Sequence, residues 1–349
     1  MTALRFTPLL FVVSCVPTVT DDLSTITAPR VLAVQSTAGA SSSTAEVDPG
    51  GVVTLRALVA APDGVAVPAL DWQLCLAEKP LAELGPVNTA CLARGAAPSV
   101  VKPLPAGDST TAVVPLDACS LFGPNPPPSQ GGRPVDPDPT GGYYQPVVGF
   151  LGASTTLADV RVACGPGDVV RQARQDFEAR YRNNENPEIA SLSVVRAGAA
   201  TTVLPDVSAG LSAKRGERVA LRAAWDVCAS SPPCNDAACA DAGPFGNDGG
   251  ATTDSGAPGA SGLCTGAETY AYYDPTTVSV VDRRESLDVS WYATAGSFDT
   301  ARTGESSPGA TSTDNTWTAP AAARSATLWL VIRDDRGGVS FRTYHATVE

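Results

Sequence analysis

The stretch "PGGVVTLRALV" (49–59) returns in register as "RGERVALRAAW" (215–225). Gly50 falls on Gly216, Val53 on Val219, and Leu55-Arg56-Ala57 on Leu221-Arg222-Ala223. In the second copy Val219, Leu221, Ala223, Trp225 and Val227 alternate with Arg218, Arg222 and Asp226. A period of two with one polar face predicts a half-buried strand. Upstream of each copy a proline opens another apolar stretch, Pro29 to Val34 and Pro187 to Leu192. Downstream of each comes a tryptophan strand, "ALDWQLC" (69–75, Trp72) and "LDVSWYATAG" (287–296, Trp291). The chain of 349 residues has room for two or three domains, and the duplicated strand order predicts two.

A first strand, a second after a glycine turn, and a third with a central Trp follow the order of an immunoglobulin-like sandwich. The C-terminal part agrees. "ATLWLVIRD" (326–334) is apolar on both faces, as a central strand should be, "DDRGG" (334–338) is a turn, and "VSFRTYHATV" (339–348) closes the domain. With "NTWTAP" (315–320) this stretch resembles the bacterial Ig-like and PKD-type repeats of cell surfaces. The resemblance covers about 187–227 and 265–349, and more loosely 29–164. It implies an all-β fold of two Ig-like β-sandwich domains in tandem. The chain departs from antibody domains in lacking a Cys on both the second and the sixth strand, so the antibody-type core disulfide is not expected.

Between the copies, "DVVRQARQDFEARYR" (168–182) predicts a short connecting helix with Val170, Ala173, Phe177 and Tyr181 as its apolar stripe. So short a helix needs a surface to rest on, either on domain one or across the domain junction. "NNENP" (183–187) ends it, because Pro disfavours helix at the residue before it. The expected organisation is a signal peptide (1–14), a polar tether (15–28), Ig-like domain one (29–164), helix and linker (165–186), and Ig-like domain two (187–349). Each domain carries one irregular excursion: a Pro-rich loop at 122–147, in which Tyr143-Tyr144 offers a restart for the sheet, and an Asp/Gly-rich insertion at 228–264 between the second and third strands.

Charged residues make up 17% of the chain and Gly (32) and Pro (30) are frequent, which suits short strands and many turns. A net charge of −12 argues against nucleic acid and against electrostatic adhesion to anionic lipid. Nine cysteines are present. Setting Cys15 aside leaves two groups of four, Cys75, Cys91, Cys119 and Cys164, then Cys228, Cys234, Cys239 and Cys264. Even counts in an exported chain imply disulfides. No second close pair or nearby His completes a zinc ligand set. The favoured pairings are Cys75–Cys91, Cys119–Cys164, Cys228–Cys264 and Cys234–Cys239, although each group of four admits three connectivities.

At the N-terminus, Arg5 precedes an apolar run, Phe6 to Val13, that is too short to span a bilayer and has the shape of a signal peptide. Its end, Val12-Val13-Ser14-Cys15, resembles the lipobox of bacterial lipoproteins. That resemblance implies cleavage before Cys15, acylation of its thiol and amino terminus, and stable anchoring to a membrane. Val16 after the cysteine implies the outer membrane by the sorting rule of enteric bacteria. The whole pattern is similar to surface lipoproteins of GC-rich Gram-negative bacteria, for which the resemblance implies location and not activity. The alternative is an ordinary secretory signal with an incidental Cys15.

Catalytic chemistry has few candidates. His345 is the single histidine and falls in an alternating strand, four residues from the end. No G-x-S-x-G motif accompanies it. Asp334 and Asp335 would point to opposite faces of an extended chain and read as a hairpin turn. Asp236, Asp241, Asp248 and Asp254 are weak calcium candidates without the D-x-[DN]-x-[DN]-G run. Trp72, Trp225 and Trp291 read as core; Trp317 and Trp329 are the ones left for an exposed, sugar-stacking row. No cofactor, metal site or catalytic residue is expected. The reading is a non-catalytic, lipid-anchored cell-envelope module, structural or protein-binding. The alternatives are a carbohydrate-binding surface protein and, more remotely, a hydrolase.

Overall fold

In a computed structural model, residues 23–349 are described except 40, 42, 79–86, 123–137, 168, 197–201, 205–209, 227, 229–265 and 306–308. Domain one contributes β1 (Arg30–Ala38), β2 (Glu46–Val47), β3 (Val52–Ala60), β4 (Asp71–Cys75), β5 (Val101–Leu104), β6 (Ser109–Val113), β7 (Gly142–Leu151) and β8 (Ser154–Ala163). Domain two contributes β9 (Ser191–Val195), β10 (Thr202–Leu204), β11 (Leu211–Ala213), β12 (Arg218–Ala224), β13 (Thr269–Asp274), β14 (Ser279–Arg284), β15 (Leu287–Ala293), β16 (Ser297–Phe298), β17 (Arg302–Glu305), β18 (Ser312–Thr318), β19 (Arg324–Asp334) and β20 (Val339–Val348). Domain one pairs a β1-β3-β6 sheet with a β2-β8-β7-β4-β5 sheet; domain two pairs β10-β9-β12-β18-β16 with β11-β20-β19-β15-β17. Both are Ig-like sandwiches of one topology. The short strands β2 and β11 run parallel to the closing strands β8 and β20, and every other strand pairing is antiparallel.

The repeat copies are the second strands, β3 and β12, and both obey the alternation. Val53, Leu55 and Ala57 in one, and Val219, Leu221 and Ala223 in the other, are buried, while Arg56 and Arg222 face outward. Gly50 and Gly216 enter these strands at φ +80° and +68°, a conformation that side chains rarely adopt. Trp72 and Trp291 fill the two cores, as expected of their strands. Trp317 joins the core of domain two, and Trp225 and Trp329 are also buried. All five tryptophans of the chain are therefore inside, and the sugar-stacking row left open for Trp317 and Trp329 is not there.

The bonds Cys75–Cys91 and Cys119–Cys164 are both formed. The first pins residues 87–100 over the outer face of β4 and β7, making a second small core with Val87, Val101, Val148 and Phe150. The second ties α1 (Ala118–Leu121) to the end of β8. Cys228 is disulfide-bonded; Cys234, Cys239 and Cys264 lie outside the described residues, as do the calcium candidates Asp236, Asp241, Asp248 and Asp254, and Cys15 with the whole of 1–22.

Four expectations need correction. The C-terminal end of the polar tether is folded: Ile26 N–H donates to Ala293 O, Ala293 N–H donates to Ser24 O, and Ile26 is buried. The loop assigned to 122–147 ends earlier, because Gly142 to Val147 already belong to β7. The strand opened by Pro187 begins only at Ser191, although Ile189 already lies in the core of domain two and Ala190 N–H donates to Ala224 O. The connecting helix, α2 (Arg171–Arg180), leaves Val170 exposed just before it. Its other stripe residues are buried as expected. Ala173, Phe177 and Tyr181 pack on Ala271 and Val280 of the β13–β14 hairpin, an element the sequence reading did not anticipate.

The two sandwiches lie side by side. Leu32, Ala33, Leu58 and Ala60 of domain one form one apolar cluster with Ile26 and with Trp329 and Val331 of domain two. Full burial of such a side chain contributes about 1.5–3 kcal/mol. Among the described residues no helix is long and apolar enough to cross a membrane.

Candidate functional site

Beside the apolar cluster the junction is polar and closed. Arg161 on β8 donates from Nε to Glu46 Oε2 at 3.1 Å and from Nη1 to Tyr144 Oη at 3.1 Å. Arg336, in the turn between β19 and β20, donates from Nε to Glu285 Oε1 at 2.6 Å and from Nη2 to Glu268 Oε2 at 2.8 Å. Both guanidinium groups and the carboxylates of Glu46 and Glu285 are buried. Asp334 accepts from the N–H groups of Arg336 and Gly338, each at 2.8 Å. The turn expected at "DDRGG" is present, with Asp334 inward and Asp335 outward, but it serves as an interdomain plug.

"NNENP" proves to be the seam between the domains. Asn184 N–H donates to Glu46 at 3.0 Å and its side-chain amide to Asp334 at 3.3 Å. The amide of Asn186 donates to Ser36 O and Ser43 O in domain one, and its oxygen accepts from Val339 N–H in domain two. Hydrogen bonds from Asn184 and Asn186 to both domains favour one arrangement of the two bodies. Burial raises the carboxyl of Glu268 to about 7, despite Arg336 beside it. It raises Glu285 and Asp334 too, again against Arg336.

Beside this junction lies a groove of about 670 Å³ between the outer face of the β1-β3-β6 sheet and strand β20. The sheet face is a lattice of polar side chains in register: Gln35 opposite Arg56 opposite Ser109, and Thr37 opposite Thr54 opposite Thr111. The facing wall carries Phe341 and Thr343, with Glu188 and Arg342 at 3.7 Å from each other. Gln35 bridges the walls, donating to Ser340 Oγ at 2.9 Å and accepting from Arg56 at 3.0 Å. Sequence reasoning placed no ligand residue here, because outward polar positions of a strand look the same whether they face water or a groove. His345, the single histidine, is exposed on β20, outside the groove lining.

No protein-family model matches the chain, and no curated protein matches it. Several solved structures are similar at low identity. A chimeric titin Z1Z2 carrying a decorin-derived peptide is 10% identical, covering 93% of this chain and 98% of that one, with a TM-score of 0.18. Dimeric latent PorU from Porphyromonas gingivalis is 11% identical over 92% of this chain and 24% of its own, with a TM-score of 0.20. Cadherin domains 3–6 of protocadherin gamma B2 are 11% identical over 92% and 76%, with a TM-score of 0.16. Scores so low carry no argument about function; the fold rests on the strand order itself.

Proposed function

We propose that this chain is a non-catalytic, lipid-anchored module of the bacterial cell envelope, in which two Ig-like sandwiches act as one rigid body and present a preformed groove to a partner. The observation that supports the reading best is the junction. Arg161, Arg336, Asn184 and Asn186 are buried and bonded across it. A flexible spacer has no use for so many buried polar groups, whereas ligand sites favour domain interfaces that are already formed. Export is supported by two disulfides in domain one and a bonded Cys228 in domain two. The lipid anchor rests on Cys15, the odd cysteine behind the short apolar run; the outer membrane is the proposed location.

The test is intact mass and detergent partitioning of the protein made in a Gram-negative host, beside Cys15→Ala. The expected product begins at Cys15, carries acyl chains and enters the detergent phase; the variant does neither. A wild-type product that stays aqueous and unacylated would remove the anchor from the proposal.

A further inference from the structure

The internal repeat offers its own control for the groove. Arg56 and Arg222 occupy matching positions on the second strands of the two domains. In domain two the residue opposite on the neighbouring strand is Asp314, and Arg222 grips it with two hydrogen bonds of 2.6 and 2.8 Å. In domain one the residue opposite is Ser109. Arg56 forms no salt bridge among the described residues. Its guanidinium is instead held in place by neutral groups, with Gln35 Oε1 accepting at 3.0 Å and the Phe341 ring 4.5 Å below.

The charges of the groove lining are Arg56, Arg342 and Glu188, a local balance of +1 on a chain whose total is −12. The rest of the lining is rich in hydroxyl and amide groups, Gln35, Thr37, Thr54, Ser109 and Thr343 among them. A fixed guanidinium offers a planar fork suited to a carboxylate or phosphate. Hydroxyls and amides, which donate and accept at once, suit a polyhydroxylated ligand.

We infer that the interdomain groove binds an acidic sugar, its anion seated on Arg56 and its hydroxyls on the Thr/Ser/Gln lattice. The inference rests on the rigid-module reading above and names its ligand class. The acid can be a uronate carboxylate or a sugar phosphate, and the experiment separates the two.

The whole folded protein would be titrated calorimetrically with trigalacturonate, galactotriose, glucose 6-phosphate and triglutamate. Saturable binding of trigalacturonate or of glucose 6-phosphate is expected, with galactotriose and triglutamate at least tenfold weaker; which acidic probe binds identifies the anion. Arg56→Gln should weaken binding at least tenfold and Arg56→Lys by less. Thr54→Val should weaken it with Arg56 intact, and Arg222→Gln, in the matching site of domain two, should leave it unchanged. Raising salt should weaken it. Thermal unfolding of each variant shows whether the fold is intact. The inference is overturned if neither acidic probe binds, if galactotriose or triglutamate binds as well, or if Arg56→Gln binds like wild type. None of these results touches the anchor or the rigid junction, which detergent partitioning and unfolding report separately.

Discussion

Arg161 and Arg336 are the residues on which the junction turns. Each is buried with a carboxylate at hydrogen-bonding distance, so removing one leaves a buried charge without its partner. Arg336→Met or Arg161→Met should cost about 3–5 kcal/mol in urea unfolding. Arg222→Ala, whose partner is exposed, should leave the urea midpoint nearly unchanged. The same cluster sets the pH response. Glu46, Glu268, Glu285 and Asp334 surround two guanidinium groups, with Asp138 at 3.8 Å from Arg161. Burial lifts Glu268 to about 7 and raises Glu285 and Asp334, whereas an unfolded Glu titrates near about 4.3. Between those values the folded chain binds more protons than the unfolded one, so stability falls as pH rises. The unfolding temperature should drop between pH 5 and pH 8, and Glu268→Gln should flatten that slope; a stability that climbs over this window would contradict the assignment. None of this was legible in the sequence. Arg161 sits between Val160 and Val162 at an outward strand position, which reads as a solvated surface. Glu46, Tyr144 and Thr140 of its own domain, together with Arg336 of the second, close over that face and make it interior.

Most of the elements, by contrast, announce themselves. Val339–Val348 forms the strand its alternation predicts, and the tryptophan strands lie where the repeat puts them. Local period and glycine turns decide these, and local signals survive in a single sequence. The β13–β14 hairpin was missed because it follows the Asp/Gly-rich stretch and pairs only with itself. Its task, giving α2 something to pack against, is a tertiary matter. The staple over β4 and β7 is another element-scale device. The Cys75–Cys91 bond spans 16 residues, and closing a loop of that length contributes about 3 kcal/mol. Replacing both cysteines by Ala should lower stability by about that amount, read from the urea midpoint at constant slope, and should expose residues 87–100 to protease before the rest of the domain. Equal protection of that segment in the variant would show that packing alone holds it.

For the molecule as a whole, the sequence shows two domains in a row but not that they lie flank to flank. The face that fuses them carries Leu32, Leu58, Trp329 and Val331 at positions that serve equally well inside a single sandwich. Fusion predicts that heating produces one transition. Residues 187–349 expressed alone would expose Trp329 and Val331 and lose the Arg161 side of the network. That fragment should melt at lower temperature than the intact chain and bind a hydrophobic dye. Two independent transitions in the intact protein would mean that the domains do not stabilise each other.

The small clip at Ser24 to Ile26 also decides how the molecule would bear mechanical load. If Cys15 is held at a membrane, only eight residues lie between it and Ser24, a leash of at most about 32 Å. The leash is fastened not to the domain that follows it in the chain but to Ala293, deep in the second one. A tug on a captured ligand in the groove would thus travel through both sandwiches at once before reaching the anchor. Neither domain would stand off from the membrane as the tip of a stalk; the pair would lie beside it like a boat moored by its middle.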